Sequence, residues 1–228
     1  MADTSAILSW SSGKDSAWTL YELLEHTDVR ALITTFNDAM DRVAMHAVRR
    51  ELVRAQASAV GLPLIEVGLP WPCTNADYER IFGAAVTAAA ERFETTNIAF
   101  GDLFLEDIRN YRGAQLQKLQ LNPLYPLWKM PTAALAHKMV ASGIQAYLTC
   151  VDPRQLDPEF VGRSYDAALL DDLPDGVDPC GENGEFHTFV WDGPMFAQAV
   201  PVVVGETVER DGFWFADLTA RHPGKPPD

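Results

Sequence analysis

Apolar and polar positions follow a repeating order of strand and helix along the first half of the chain. Short apolar runs, each typical of a buried strand, occupy residues 6–10, 29–36, 64–69 and 97–103. Segments with apolar residues at helical spacing lie between them, at 14–26, 43–60 and 76–94. Because short loops connect strands that alternate with helices, the pattern predicts an α/β fold, a parallel sheet with helices on both faces.

The pattern changes after residue 122, where prolines interrupt the sequence NPLYPLW. A helix is predicted over 132–143, and strands are predicted in QAYLTCVD, QAVPVVVGE and GFWFADL. We therefore expect a first domain over residues 1–122 and a smaller C-terminal α/β domain over residues 123–228. A chain of 228 residues is long enough for this division.

The carboxyl ends of the predicted parallel strands are the place to look for a site, because ligands of such sheets bind in the crevice beyond those ends. The candidate ends are 11–16, 34–37, Gly68 and 101–102. We expect all four to face one crevice.

The first of these ends has the sequence SSGKDS, and we call it the 11–16 turn. It consists of Ser11, Ser12, Gly13, Lys14, Asp15 and Ser16. Small residues between a strand and a helix expose backbone N–H groups at the positive end of the helix, where phosphate binds. Serine hydroxyls and a lysine ammonium add donors, although the G-x-x-x-x-G-K-[ST] pattern is absent. The alternative is a turn that only caps the helix.

A second polar stretch, DPCGENGEFHTF at residues 178–189, is here called the acidic segment. Its Glu182, Glu185 and Thr188 are spaced E-x-x-E-x-x-T, and glycines at 181 and 184 favour a loop over a helix face. Such a loop can coordinate Mg²⁺, bind an ammonium ion or serve as a general base for an incoming amine. A solvated acidic loop is the alternative interpretation.

Charge and composition restrict the class of protein. Eighteen Lys and Arg against 32 Asp and Glu give a net charge of −14, which disfavours nucleic acid and anionic membranes as partners. The sequence shows no apolar run of the roughly 20 residues that a membrane span needs, and its first residues lack a signal-peptide pattern. Three cysteines without a CxxC pair fit a reducing compartment, so we expect a cytoplasmic protein.

The two polar stretches together carry a family resemblance. The 11–16 turn resembles the SGGxDS PP-loop of N-type ATP pyrophosphatases. Ser12 stands where that loop has glycine, and we expect ordinary backbone angles there, with which a serine can serve in this position. With GENGEFHT at 181–188, the chain resembles the diphthine–ammonia ligase family, and the residues of both motifs resemble those of its bacterial branch. Further matching stretches extend the resemblance over nearly the whole chain, at 46–64, 101–112, 126–132, 152–166 and 193–196.

This resemblance implies a HUP or Rossmann-like nucleotide domain whose site is completed by the C-terminal domain. Eukaryotic members use ATP and ammonium to amidate the diphthine carboxylate of elongation factor 2, with AMP and pyrophosphate as products. Bacteria lack diphthamide, so the implied partners are ATP, Mg²⁺, ammonia and an unidentified carboxylate acceptor. A homodimer is the base-rate expectation for the assembly.

The resemblance also gives the candidate residues their roles. Those expected around the β- and γ-phosphates of ATP are Ser11, Gly13, Lys14, Asp15 and Ser16. Adenine is expected to meet Thr34, Thr35 and Phe36 through backbone contacts and stacking, unless these are ordinary strand residues. Glu182, Glu185 and Thr188 are expected to handle the acceptor and ammonia.

Further candidates come from the second helix and from the end of the fourth strand. His46 is expected near the start of the helix, where it either touches substrate or phosphate or has a purely structural role. Gly101 and Asp102 are expected in the site, with Asp15 and Asp102 as possible Mg²⁺ ligands. Arg109, with Arg112 on the same helix side, either neutralises phosphate or belongs to a solvated face.

Two other functions compete with the ligase. One is an N-type ATP pyrophosphatase that modifies tRNA, which the charge of −14 and the missing CxxC pairs oppose. The other is a nucleotide-binding sensor without turnover, for which the acidic segment would have no purpose.

Overall fold

The computed structural model describes residues 4–43 and 46–221, and its first sheet has six strands. They are β1 (Ser5–Ser9), β2 (Asp28–Asn37), β3 (Arg42–Val43), β4 (Leu64–Leu69), β5 (Asn97–Ala99) and β6 (Asn122–Leu124). Five of these strands are parallel, in the order β4-β2-β1-β5-β6. The short β3 pairs antiparallel with the end of β2. The predicted parallel sheet is confirmed.

Helices cover both faces of this sheet. In the described ranges they are α1 (Lys14–Leu23), α2 (Arg50–Val60), α3 (Asn75–Arg92) and α4 (Glu106–Lys118). Successive side chains of a strand point to opposite faces. Leu8 of β1 accordingly belongs to the apolar cluster that contains the buried side chains of α1 and α2. Its neighbour Ile7 belongs to a second cluster, with buried side chains of α3 and α4.

A second sheet, entirely antiparallel, follows in the C-terminal part. Its strands in the described residues are β7 (Gln145–Val151), β8 (Phe186–Asp192), β9 (Val202–Arg210) and β10 (Phe213–Ala220). Their order is β8-β7-β10-β9. The accompanying helices are α5 (Thr132–Ala141) and α6 (Ala167–Asp172), with a 3₁₀ turn at Pro158–Phe160. Apolar side chains of β7 and β8 join the cluster that contains Leu8, so the second sheet packs on the α1–α2 side of the first.

The helix predicted over 43–60 begins only at Arg50, and the prediction is wrong for Val43 and for residues 46–49. Arg42 bridges to Arg49 instead, and the Val43 N–H donates to the Val48 carbonyl at 2.9 Å. Val43 and Val48 are both buried, so the apolar positions that favoured a helix are covered in a turn instead. His46 therefore lies in a turn before α2, while 44–45 lie outside the described residues.

The predicted strand 97–103 is shorter in the structure and ends at Ala99, and the helix predicted over 14–26 ends at Leu23. The division predicted between residues 122 and 123 lies within β6, which pairs with β5 of the first sheet. That domain boundary stays a prediction. Among the described residues, no helix combines the length and the apolar character that a bilayer crossing requires.

Candidate active site

The 11–16 turn lies where the strand order of the first sheet reverses. β2 and β4 extend from β1 to one side, and β5 and β6 to the other, which opens a crevice between the ends of β1 and β5. Gly101, just after β5, lies against the first turn of α1. A Cβ added there would come within 3.0 Å of the Asp15 backbone and of the Thr19 hydroxyl, so a glycine permits this approach.

The backbone of the 11–16 turn has a left-handed residue at Ser12, whose φ is +75°. The expectation that a serine sits here with ordinary backbone angles is therefore wrong, because this conformation favours glycine. The turn is anchored through the Ser12 carbonyl, which accepts from the Val190 N–H and from Nε2 of Gln56, both at 3.0 Å. Gly13 is required by the imidazole of His46, since an added Cβ would lie 2.9 Å from its Cε1.

A side chain of the second sheet caps the N-terminus of helix α1. Gly13 is the N-cap and has no side chain to offer, and the Lys14 N–H donates to Oγ1 of Thr188 at 3.0 Å. The Ser16 hydroxyl donates to the Gly13 carbonyl at 2.9 Å and lies 3.2 Å from that of Ser11. The turn is thus held from inside by serines and from outside by β8.

Lys14 is buried, and its side chain runs towards the acidic segment. Its Nζ donates to both carboxylate oxygens of Asp15, at 2.8 and 3.0 Å, and to the carbonyl of Cys180. Burial is the largest single influence and disfavours the ammonium, but the charge and hydrogen bonds of Asp15, together with further nearby charge, outweigh it and raise the pKa of Lys14 above its usual value. Lys14 therefore carries its positive charge at neutral pH.

The two glutamates of the acidic segment have different surroundings. Glu182 accepts from the N–H groups of Leu103 and Phe104, at 2.8 and 3.4 Å, and burial raises its pKa to about 7. Glu185 is only 2% exposed and accepts from Asp178 N–H, Asn183 N–H and Asn183 Nδ2 within 3.0 Å. Glu185 thus shapes the segment, while Glu182 ties it to the loop after β5.

These elements enclose a cavity of about 550 Å³. The predicted site residues that line it are Ser11, Lys14, Asp15, Ser16, His46, Gly101, Asp102, Glu182 and Thr188. The cavity brings together the ends of β1 and β5, the turn before α2 and the acidic segment. A turn rich in donors and three acidic side chains, Asp15, Asp102 and Glu182, therefore face the same space.

Other predicted residues lie outside the lining of this cavity. Ser12 and Gly13 shape the turn behind it, and Glu185 lies within the acidic segment. The hydroxyl of Thr34 donates to the Trp10 carbonyl at 2.7 Å. Thr35 follows it on β2 and is half-buried, and Phe36 is fully buried, with the Arg50 guanidinium 4.3 Å from its ring centre. The structure does not bring the three β2 residues to the cavity.

The two arginines of α4 have different positions. The Arg109 guanidinium lies 4.5 Å from the ring centre of Trp128, away from the cavity lining. Arg112 lines the cavity and donates to the Asp102 carboxylate at 2.6 Å. Of the two, Arg112, one helical turn beyond Arg109, is therefore the arginine that faces the cavity.

A pair of histidines forms one wall. The ring centres of His46 and His187 are 4.6 Å apart, and Nδ1 of His46 lies 3.2 Å from the Thr188 carbonyl, which assigns the Nδ1 hydrogen to this contact. Burial lowers the pKa of His46 to about 4 and that of His187 well below its usual value. Both rings are therefore neutral at physiological pH, and they form an uncharged wall.

Sequence reasoning missed Gln56, Tyr165 and Phe186. Gln56 is fully buried in α2; besides the Ser12 carbonyl, its Nε2 donates to the Val190 carbonyl at 2.6 Å, and its Oε1 accepts from the Trp10 indole at 2.8 Å. The only sequence signal was a glutamine among the apolar positions of an amphipathic helix. Tyr165 and Phe186 flank the Lys14 ammonium, and each resembles an ordinary core aromatic in the sequence.

A doubly wound sheet with a polar crevice at the reversal of its strand order defines an α/β protein that binds a ligand at the carboxyl ends of its strands. Family comparisons make the assignment specific. The diphthamide synthase N-terminal domain matches residues 4–111, and the diphthamide synthase C-terminal domain matches residues 132–222. The chain therefore belongs to the diphthamide synthase family, and the resemblance to diphthine–ammonia ligases is confirmed.

Individual relatives agree over the same length. The diphthine–ammonia ligase of Danio rerio is 27% identical, over 91% of this chain and 90% of that protein. That of Homo sapiens is 26% identical, over 91% and 86%. Among solved structures, a predicted subunit of tRNA methyltransferase from Methanocaldococcus jannaschii aligns over 82% of this chain and 96% of that chain, with 17% identity and a TM-score of 0.44.

Proposed function

We propose that this protein is an ATP-dependent ligase that adenylates a carboxylate and then amidates it with ammonia. Membership of the diphthamide synthase family and the similarity to diphthine–ammonia ligases support an ATP-using, ammonia-consuming ligase. The observation that carries the two-step mechanism is the single cavity lined by both the 11–16 turn and Glu182. One wall offers donors for phosphate, and the other offers a carboxylate for an amine.

The first step needs the cationic wall. A carboxylate is a poor electrophile, so its oxygen attacks the α-phosphorus of ATP, and the bond between that phosphorus and the bridging oxygen breaks. Pyrophosphate leaves and an acyl adenylate remains. Backbone N–H groups of the 11–16 turn, Lys14 and Arg112 supply positive charge where the leaving group develops negative charge.

The second step needs the acidic wall. Ammonium gives a proton to the Glu182 carboxylate, and the resulting ammonia attacks the acyl carbon. The bond from this carbon to the AMP oxygen breaks and the new C–N nitrogen releases a second proton to solvent, which yields the amide and AMP. Glu182 suits proton transfer near neutral pH because burial raises its pKa to about 7.

The carboxylates of the cavity also suit Mg²⁺. Asp15 and Asp102 offer the oxygen ligands that this ion prefers, and Mg²⁺ usually takes one or two carboxylates together with substrate phosphates. In the described residues, no cluster of three His, Cys, Asp or Glu side chains is arranged to hold a metal without a nucleotide. When bound, Mg²⁺ would neutralise phosphate charge. The acceptor is proposed only as a carboxylate, in a small molecule or a protein.

The test separates the two steps. Adenylation alone makes the enzyme exchange labelled pyrophosphate into ATP when Mg²⁺ and an acidic fraction of cell extract are present and ammonium is absent. Ammonium should then convert exchange into net AMP release. Asp15→Asn should lose both activities. Glu182→Gln should keep exchange, but its ammonium-dependent rate should be roughly 100-fold lower, since a general base usually contributes about this factor.

Glu25→Gln is the matched control, since Glu25 is an exposed glutamate that does not line the cavity. It should behave as the unaltered protein in both assays. Absence of exchange and of AMP release with every extract fraction, despite measurable ATP binding, would contradict the proposed reaction and favour a nucleotide sensor.

A further inference from the structure

The ammonium group of Lys14 lies in a cage whose chemistry is unusual for a phosphate-binding lysine. The centres of the Tyr165 and Phe186 rings are 5.6 and 5.5 Å from its Nζ. The Asp15 carboxylate and the Cys180 carbonyl accept its hydrogen bonds. Tyr165 is itself fixed, because its hydroxyl donates to the Pro179 carbonyl at 2.8 Å.

Two aromatic rings, a carbonyl and a carboxylate are the groups with which proteins recognise small cations. Aromatic rings attract a cation within about 6 Å of their centres, and the attraction strengthens when water is excluded. Tyr165, Phe186 and Cys180 are all nearly inaccessible to solvent. The Asp15 carboxylate, whose side chain is 27% exposed, supplies the negative charge, and its three nearly inaccessible neighbours exclude water from the rest of the cage.

We propose that this cage is the ammonium subsite of the enzyme, and that Lys14 fills it until a nucleotide binds. The inference rests on the proposed function, because it assigns a place to the ammonium that the ligase consumes. In the structure the lysine –NH₃⁺ group stands where the substrate cation would be.

The phosphates of ATP can draw the Lys14 ammonium out of the cage by electrostatic attraction. Lys14 lines the cavity as well as the cage, and its flexible four-carbon stem can carry Nζ from one to the other. A triphosphate carries several negative charges, against the single charge of Asp15, so the ammonium of Lys14 is drawn to it. An ammonium ion can then replace the lost –NH₃⁺ between the two rings, and it can donate to the Cys180 carbonyl and to one oxygen of Asp15, whose other oxygen stays open to Mg²⁺.

The cage also lies beside the group that takes the proton. Glu182 belongs to the same acidic segment as Cys180 and lines the same cavity as Lys14. An ammonium ion held by the cage can pass one proton to the Glu182 carboxylate, and the ammonia that remains forms the new C–N bond and releases a second proton to solvent as AMP leaves. Lys14 thus keeps ammonium out of the subsite until ATP is bound.

A binding measurement on two variants tests the cage without any turnover. Lys14→Ala empties it, whereas Lys14→Met keeps it filled with an uncharged stem of similar length. Without nucleotide, ammonium chloride should raise the Tm of Lys14→Ala by roughly 3 °C more than sodium chloride of equal concentration. Lys14→Met and the unaltered protein should respond equally to both salts. Equal responses in a folded Lys14→Ala protein would overturn the proposal.

Kinetics provide a second test, which also covers the case that Lys14→Ala does not fold. Phe186→Leu should raise the KM for ammonium roughly tenfold, a factor that corresponds to a cation–π contribution of about 1.4 kcal/mol. The KM for ATP should change less than twofold, and Phe189→Leu, which removes a buried ring of the same strand outside the cavity lining, should leave the KM for ammonium within twofold. An unchanged KM for ammonium in Phe186→Leu contradicts the cage. Absence of pyrophosphate exchange in the unaltered enzyme contradicts the ligase itself.

Discussion

Glu182 combines burial with contact to a reactive cavity, and its ionisation is therefore the property to examine first. Burial favours the neutral acid, while the N–H groups of Leu103 and Phe104 favour the carboxylate. Burial is the larger effect, so the pKa rises to about 7. At neutral pH the group is about half ionised, which is the condition under which a carboxylate both accepts and releases protons efficiently.

We predict that kcat/KM for ammonium rises as the pH increases through about 7, because only the ionised Glu182 accepts a proton. Glu182→Gln should lack this inflection and retain only the rise that follows from free ammonia. The pH–rate profiles of both proteins provide the measurement. An inflection near pH 7 that persists in Glu182→Gln would assign the titration to another group.

Unfolding supplies an independent check of the same pKa. Because the folded pKa lies above the ordinary 4.5, the stabilising contribution of Glu182 is present below pH 4.5 and is lost as the pH rises through about 7. Glu182→Gln should therefore have a higher Tm than the unaltered protein above pH 7, and nearly the same Tm below pH 4.5. A constant difference at all pH values would mean that the side chain titrates normally.

The turn between β1 and α1 uses an amino acid that its backbone does not favour. Ser12 has φ of +75°, and within the described part of the chain its buried hydroxyl has no hydrogen-bond partner. A left-handed serine costs roughly 1–2 kcal/mol, and an unpaired buried hydroxyl adds about 1–3 kcal/mol. Glycine gives back up to about 1 kcal/mol through the entropy of the unfolded chain.

We predict that Ser12→Gly stabilises the protein by about 1 kcal/mol, which corresponds to an increase of roughly 2–4 °C in Tm. Ser12→Ala separates the two causes, because alanine removes the hydroxyl and keeps the unfavourable φ. Thermal unfolding should rank Gly above Ala. Equal Tm values for the two variants would mean that the hydroxyl, and not the backbone, carries the cost.

The pattern of apolar and polar residues predicted the strands of the first sheet, because a buried strand leaves its mark within a short segment of sequence. The apolar runs gave the strands, and β4 has the bounds 64–69 that the pattern predicted. The helix predicted over 43–60 was wrong at its start because Val43 and Val48 are buried in a turn, which Arg42 and Arg49 tie to the distant Asp217. Helical spacing cannot distinguish a buried turn from a helix when only the apolar positions are known.

The contacts that build the candidate site join residues far apart in the sequence, and this explains what sequence reasoning missed. Thr188 caps α1 from 174 residues away, and Gln56 bonds to Val190 from 134 residues away. A motif shows that Lys14 and Glu182 matter, but not that Lys14 points into an aromatic cage. That placement depends on how β8 packs against the turn, which no single segment encodes.

The two sheets share one apolar core. Leu8, Trp10 and Trp18 from the first sheet and α1 belong to the same buried cluster as Phe186 and Phe189 of β8. Polar contacts cross the same junction, since the Ser12 carbonyl accepts from the Val190 N–H and from Gln56. Separation of the two parts would therefore expose apolar surface and leave buried polar groups unpaired, and each of these costs free energy.

For this reason we predict that both parts unfold together, although the sequence suggests a division near residue 122. Urea unfolding followed by far-UV circular dichroism and by tryptophan fluorescence should give coincident transitions, and calorimetry should give equal calorimetric and van't Hoff enthalpies. Gln56→Ala should lower the free energy of unfolding by about 2–4 kcal/mol, because it leaves a cavity and unpaired groups at the junction. The whole unfolding curve should therefore move to lower urea. The exposed helical Gln117→Ala is its matched control. Two resolved transitions, with Gln56→Ala moving only one, would show instead that the parts fold independently and that the site forms only after they dock.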